Sequence, residues 1–373
     1  MKRQIWLLTA ALLASVAGAN GARKAKNVIL LLADAGGVPT VNAASIFGYG
    51  EPQKLFIQSW KHIALSDTSS ASQWVTDSAA GMTAIVTGRK THNGVISQGP
   101  DTVRGKKDGA RLKTILEYAE ERGLATGVIS NVNIADATPA ACYSHANDRG
   151  KFGEIFLQVF EPRFGDGVDV VLGIGRKTIY DEVQKLGRNL DEVARKKHRT
   201  IYASLAAVPT GERRPIAVLE RDLDVPAAAK MALGALAKNR NGYFLMIEWD
   251  THTNNPKQGL SNMVGLDKLI RELAGMVDPK ETLLLFTADH SFELRMKGGL
   301  RGEPILKGLD EWQKNHKPDE MVDIPALRIG RSHTGEEVPV AARGPGAEQV
   351  QGFLPNTQIF HIMMKAYGWN ERP

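Results

Sequence analysis

Five short stretches of this chain carry apolar residues in nearly unbroken succession: "NVILLLAD" at 27–34, "ATGVISN" at 125–131, "VDVVLGIG" at 168–175, "YFLMIE" at 243–248 and "TLLLFTAD" at 282–289. A strand with one wet face alternates apolar and polar residues, whereas a continuous run needs cover on both faces. The cover is written between the runs. In residues 111–122, Leu112, Ile115, Leu116 and Ala119 share one helical face, and Gly123 ends the pattern. Residues 226–238 and 260–276 read as helices in the same way. Buried strands alternating with helices specify an α/β protein, a three-layer sandwich with a central, mainly parallel sheet flanked by helices.

With 373 residues, 43% of them hydrophobic, the chain can bury a large core. Residues 1–19 read as a leader: Lys2 and Arg3, an apolar stretch too short to span a bilayer, then the small residues Ala17-Gly18-Ala19. This predicts an exported protein, periplasmic or extracellular, with no membrane attachment after cleavage. Residues 20–373 then form one catalytic domain, with 161–224 and 291–331 as peripheral excursions. The charge of +6 is spread out, with no basic run interleaved with aromatics, so nucleic-acid binding has no support. Cys142 is the only cysteine, which excludes an internal disulfide and reads as a small buried residue.

In parallel α/β sheets ligands gather at the carboxyl ends of the strands. Here those ends hold oxygen and imidazole donors: Asp34 after the first run, "EWDTHTNN" with Glu248, Asp250 and His252 after the fourth, and Asp289 with His290 after the fifth. The loop after Asn131 adds Asp136, Thr138, His145 and Arg149, and "GRSHTG" adds His333 before a further strand, "VPVAARG". Singly, an Asp after a strand is an ordinary cap or turn residue, and His145 and His316 read as ordinary surface or hydrogen-bonding histidines. Together the carboxylates would repel unless cations neutralised them. Mixed Asp/His ligation suits zinc, and an Asp/Thr/Glu oxygen set suits magnesium. The segment "TDSAAG" opens a helix whose free N–H groups and positive dipole end face whatever lies near Ser78. Asp77 or Ser78 could simply cap that helix. Beside metals, Ser78 is a candidate nucleophile.

These segments resemble the alkaline phosphatase family over nearly all of the chain. "KNVILLLADAGG", "VTDSAAGMTAIVTGRKTHNGVI", "DATPAACYSHANDR", "FLMIE", "TADH" and "HTGEEVPVAARGPGA" occur in the family's order. The resemblance implies hydrolysis of phosphate monoesters on small phosphorylated substrates, through a phosphoserine at Ser78. It implies two zinc ions, one held by Asp34, Asp289 and His290 and one by Asp250, His252 and His333. A magnesium ion would be held by Asp34, Asp136, Thr138 and Glu248. Arg149 would grip two phosphate oxygens, positioned by Asp77. A homodimer is compatible with the family, although a chain this short implies reduced peripheral insertions.

One segment departs from the family pattern. In "EWDTHTNN" the Asp and His stand closer to the glutamate than the family spaces them, so Asn254 or Asn255 could approach in place of one of them. If the strand runs past Glu248, its alternation sends Glu248, Asp250 and His252 to one edge. Two rival readings remain. A phosphodiesterase or sulfatase of the same superfamily is one, although the sulfatase Cys/Ser-x-Pro-x-Arg context is absent around Ser78. A non-catalytic, metal-stabilised phosphate-binding protein is the other.

Overall fold

The computed structural model describes residues 24–370; the leader-like residues 1–19 lie outside them. Among the described residues ten strands form one sheet and three form another. In chain order the strands are β1 (Asn27–Asp34), β2 (His62–Ser66), β3 (Ala125–Asn133), β4 (Val170–Ile174), β5 (Ile201–Tyr202), β6 (Ile216–Leu219), β7 (Tyr243–Asp250), β8 (Thr282–Thr287), β9 (Ser291–Met296), β10 (Val322–Asp323), β11 (Leu327–Thr334), β12 (Val338–Arg343) and β13 (Gly352–Leu354). The large sheet has the order β13-β2-β12-β8-β1-β7-β3-β4-β6-β5. Its neighbours pair in parallel except at β12, which runs against both β2 and β8.

The five apolar runs are the heart of this sheet, and β1 shows why. Val28, Leu30 and Leu32 pack into one core, while Ile29, Leu31 and Ala33 pack into the other. All six are fully buried. At about 25 cal/mol per Å² of apolar surface removed from water, a buried leucine contributes roughly 2 kcal/mol. Such a strand is stable only between two helical layers. One layer contains the helices Ser78–Thr87, Ala137–Tyr143 and Gln358–Tyr367. The other contains Val38–Tyr49, Val225–Leu236 and Pro256–Met276. Among the described residues no helix is long and apolar enough to cross a membrane.

Three boundaries differ from the sequence reading, each for a local reason. The helix expected over 111–122 is confined to Ile115–Glu120. Thr114 and Glu117 form a reciprocal capping box that fixes its start, and Arg111 pairs as an isolated bridge with Gln98. Within 161–224, β4 is the strand expected at 168–175, but the stretch also supplies β5 and β6 beyond it at the sheet's edge; these are two and four residues long, too short for a period to register. The stretch 291–331 builds the small sheet, ordered β10-β11-β9. There β9 leaves directly from His290 and β11 returns antiparallel, with Phe292 opposite His333 and Ser291 opposite Thr334. This detour carries His333 back beside His290.

Candidate active site

The carboxyl ends of β1, β3, β7 and β8 meet at one edge of the large sheet. Asp34 and Asp250 are direct register partners at the ends of β1 and β7. Thr251 fastens the two ends, since its backbone N–H and its hydroxyl both donate to the Asp34 carbonyl, at 2.9 and 2.6 Å. Because β7 continues through Asp250, Glu248 and Asp250 project the same way. The Asp250 backbone is held in turn by the Asn131 side chain from the end of β3, at 2.8 Å.

Ser78 is the first residue of the helix Ser78–Thr87, and Asp77 is its cap, accepting from Ala80 N–H at 3.1 Å. The Ser78 hydroxyl is buried and stands 3.3 Å from His290 Nε2. The helix sits close to the end of β8 because residue 81 is glycine. A Cβ at Gly81 would stand 2.7 Å from the Asp289 carbonyl oxygen.

Arg149 donates one guanidinium nitrogen to Asp77 Oδ2 and another to Asp136 Oδ1, each at 3.0 Å. Asp136 also caps the helix Ala137–Tyr143. Glu248 is buried, bonded to the Ser130 hydroxyl, and faces Thr138.

Three imidazoles complete the site. His290 directs Nδ1 to the Ser291 carbonyl at 3.0 Å, and His333 directs Nδ1 to the Thr76 carbonyl at 3.2 Å. His252 directs Nδ1 to Asp250 Oδ1 at 2.7 Å. With each Nδ1 occupied, each Nε2 is left to face the site, and those of His252 and His333 are 3.4 Å apart. The rings of His290 and His333 stack at 3.6 Å.

The electrostatics are those of a site crowded with charge. Burial pushes the Asp34 carboxyl up, but His252, His290 and Arg149 outweigh it and hold it well below the usual carboxylate range. Burial and the neighbouring Asp34 push Glu248 well above that range and Asp289 to about 6. His290 is opposed by burial, yet Asp289 and Asp34 raise it to about 9. Burial and His290 push His333 down to about 4.

The donor set fits cations. Asp34 Oδ1, Glu248 Oε1 and Asp289 Oδ2 are buried oxygens without a well-formed hydrogen bond; His290 Nε2 stands 3.3 Å from the first and 3.5 Å from the third, and Glu248 Oε1 has no such imidazole neighbour among the described residues. A buried carboxylate oxygen left so is costly unless a cation meets it. Three groups have ligand atoms within 4.8 Å of one another: Asp34, Asp289 and His290; Asp34, Asp250 and His252; and His252, His290 and His333. The first is the zinc set expected from the sequence. Asp250, His252 and His333 do not come together as one group among the described residues; His252 instead belongs both with Asp250 and with His333. Asn254 and Asn255 line a pocket with Trp312, His316 and Arg331, and Asn255 caps the helix Pro256–Met276. Sequence reasoning missed the positioning residues Ser130, Asn131 and Thr251. The first two end the run "ATGVISN", and polar residues at the end of a buried strand were the available signal.

A parallel sheet whose carboxyl edge gathers a helix-capping serine, an arginine and a set of cation donors is the frame of a hydrolase. The chain belongs to the alkaline phosphatase family: the family's model, described as "Alkaline phosphatase", matches residues 25–207, 219–326 and 311–369. It is 30% identical to the alkaline phosphatase of Escherichia fergusonii, over 93% of this chain and 86% of that one. It is 26% identical to alkaline phosphatase 4 of Drosophila melanogaster, over 92% and 76%. Among solved structures it is similar to the alkaline phosphatase of the Antarctic bacterium TAB5, with a TM-score of 0.74 and 25% identity, covering 94% of this chain and 100% of that one. The alkaline phosphatase of Thermus thermophilus shares the fold, with a TM-score of 0.78 at 20% identity over 94% and 93%.

Proposed function

We propose that this phosphatase hydrolyses phosphate monoesters through a phosphoserine at Ser78. The observation that carries the reading is the Ser78 hydroxyl, buried at a helix N-terminus and 3.3 Å from His290 Nε2. Ser78 Oγ attacks phosphorus, and the bond to the alcohol oxygen breaks. Water then attacks the phosphoserine, releases inorganic phosphate and returns the hydroxyl. Bound divalent cations would supply Lewis-acid polarisation of the phosphoryl oxygens and easier deprotonation of the attacking oxygen. Asp34, Asp289 and His290 would hold one zinc, and His252, which stands with Asp250 on one side and His333 on the other, would be the centre of a second set. Asp34, Asp136, Thr138 and Glu248 would hold magnesium.

The chain's own residues supply position and charge. Asp77 and Asp136 fix the Arg149 guanidinium on two sides, leaving its remaining N–H donors for non-bridging phosphate oxygens. The free N–H groups of the helix beginning at Ser78 favour the same negative charge. A monoester carries more of that charge than a diester, so the arrangement favours the monoester. The test compares a chromogenic monoester with the matching diester, with metal content measured in parallel. Wild type should turn over the monoester far faster, and Ser78→Ala should lose steady-state turnover while keeping its metals. Comparable turnover in the alanine variant would refute the nucleophile assignment, and faster diester turnover would refute the substrate class.

A further inference from the structure

The loop over residues 98–111 lies outside the proposed metal site, yet it is folded rather than slack. Gln98 bridges Arg111, Val103 bridges Lys107, and the Ala110 N–H is held by both oxygens of Asp101 at 3.0 Å. Its tip presents Arg104. The guanidinium makes a two-pronged contact with Asp148, at 3.1 and 3.4 Å. It also fills the space beside Gly94: a Cβ there would stand 2.2 Å from the Arg104 Cζ. The next tip residue, Gly105, donates its N–H to the Asn147 carbonyl at 3.1 Å.

These contacts converge on Arg149 from outside. Asp148 is its chain neighbour. Gly94 accepts the Arg149 N–H at its carbonyl, at 2.8 Å, and donates its own N–H to Asp77 Oδ2 at 2.9 Å. Asp77 Oδ2 is the oxygen that also takes the Arg149 guanidinium. Ile96 and Ala146 lock the same two segments further along, through bonds of 2.9 and 3.0 Å. Gly94 has φ +82°, so its left-handed backbone and the arginine above it both exclude a side chain.

We propose that Arg104 is a positioning residue for phosphate recognition: with Asp148 it clamps the Gly94 and Arg149 backbones and so fixes the direction of the Arg149 guanidinium. The inference rests on Arg149 as the phosphate-binding residue. Arg104 does not touch phosphate; it acts through Gly94 and Asp148. The planar fork reaches Asp148 while its face covers Gly94, which a lysine cannot reproduce.

The experiment uses the full zinc- and magnesium-loaded protein, with inorganic phosphate as the probe. Its affinity is measured by calorimetry in wild type, Arg104→Ala, Asp148→Asn and Arg149→Ala. Hydrogen exchange is followed at the Gly94 and Arg149 amides. The clamp predicts that Arg104→Ala and Asp148→Asn each weaken phosphate binding, by roughly two- to fivefold for a partly exposed pair, and speed exchange at both amides. A long-range charge effect gives opposite signs, since removing the Asp148 negative charge would tighten anion binding. Tighter phosphate binding by Asp148→Asn, or unchanged affinity in both variants, overturns the proposal. So does unchanged exchange at both amides. Arg149→Ala judges the underlying reading separately: undiminished phosphate affinity there means that Arg149 is not the recognition residue, and the role proposed for Arg104 falls with it.

Discussion

His252 shows what single residues disclosed in advance and what they did not. Its type and its place after a buried run marked it as a ligand. The shortened spacing after Glu248 left its direction open. The structure supplies what the spacing lacked, the pairing of Asp34 with Asp250 across β1 and β7. That register depends on two segments over 200 residues apart, and no local pattern encodes it. His252→Ala should therefore lose about one zinc per chain and slow the hydrolysis of phosphoserine, so that phosphorylated enzyme accumulates at low pH. Metal analysis and labelling with phosphate check this, and unchanged zinc content would remove His252 from the site. Glu120 is hidden for the opposite reason: it follows Leu116 by four residues on the apolar helical face, but a carboxylate there reads as solvent-facing. Burial, with Asp166 and Glu117 nearby, pushes its carboxyl from 4.5 to about 8. The folded state then keeps a proton that the unfolded chain releases as pH rises above 4.5, so stability falls up to about pH 8 and levels off beyond. Glu120→Gln avoids that loss. It should be close to wild type in stability at pH 4.5 and more stable at pH 9, by up to a few kcal/mol, on the order expected from linkage. Urea unfolding at the two pH values decides, and equal stability at pH 9 would show that Glu120 ionises freely.

Elements were legible where they were long and buried on both faces. The run at 27–34 is β1 from end to end, and the helix read over 226–238 is found at Val225–Leu236. The two-residue strands β5 and β10 and the three-residue β13 carry too few side chains for any period to register. The small sheet is hidden because residues 291–331 are rich in Gly, Lys and Glu, a composition that reads as a solvated excursion. The helix Ser78–Thr87 was legible through its small residues, and the structure gives them a purpose in the contact between Gly81 and the Asp289 carbonyl. Helix propensity alone would make Gly81→Ala stabilising by about 1 kcal/mol. The 2.7 Å approach to backbone should reverse the sign, since overpacking costs roughly 1–3 kcal/mol. We expect this variant to be less stable than wild type and to bind metal more weakly at Asp289 and His290. Denaturant unfolding and metal titration test it, and a more stable variant with full metal content would show that the helix can move away without consequence.

At the scale of the whole molecule the proposed cations join parts of the chain that nothing else joins covalently. Chelation should lower the melting temperature as well as abolish activity, because ligands bound only by the folded state stabilise it, by about 4 kcal/mol at a thousandfold excess over Kd. A melting temperature indifferent to chelation would mean that the donors are satisfied without metal. The sheet order has a consequence in time as well as space. β1 lies between β7 and β8, and contacts at its first residue, Asn27, reach across 216 and 255 residues of chain. As the polypeptide emerges from the ribosome, this buried central strand must therefore wait through more than half of synthesis for either neighbour. Few native contacts can form early, and closing such long loops is slow. Until then a sticky segment near the front of the chain stays open to wrong partners, so this enzyme should depend on chaperones during its making far more than its finished, tightly packed form suggests.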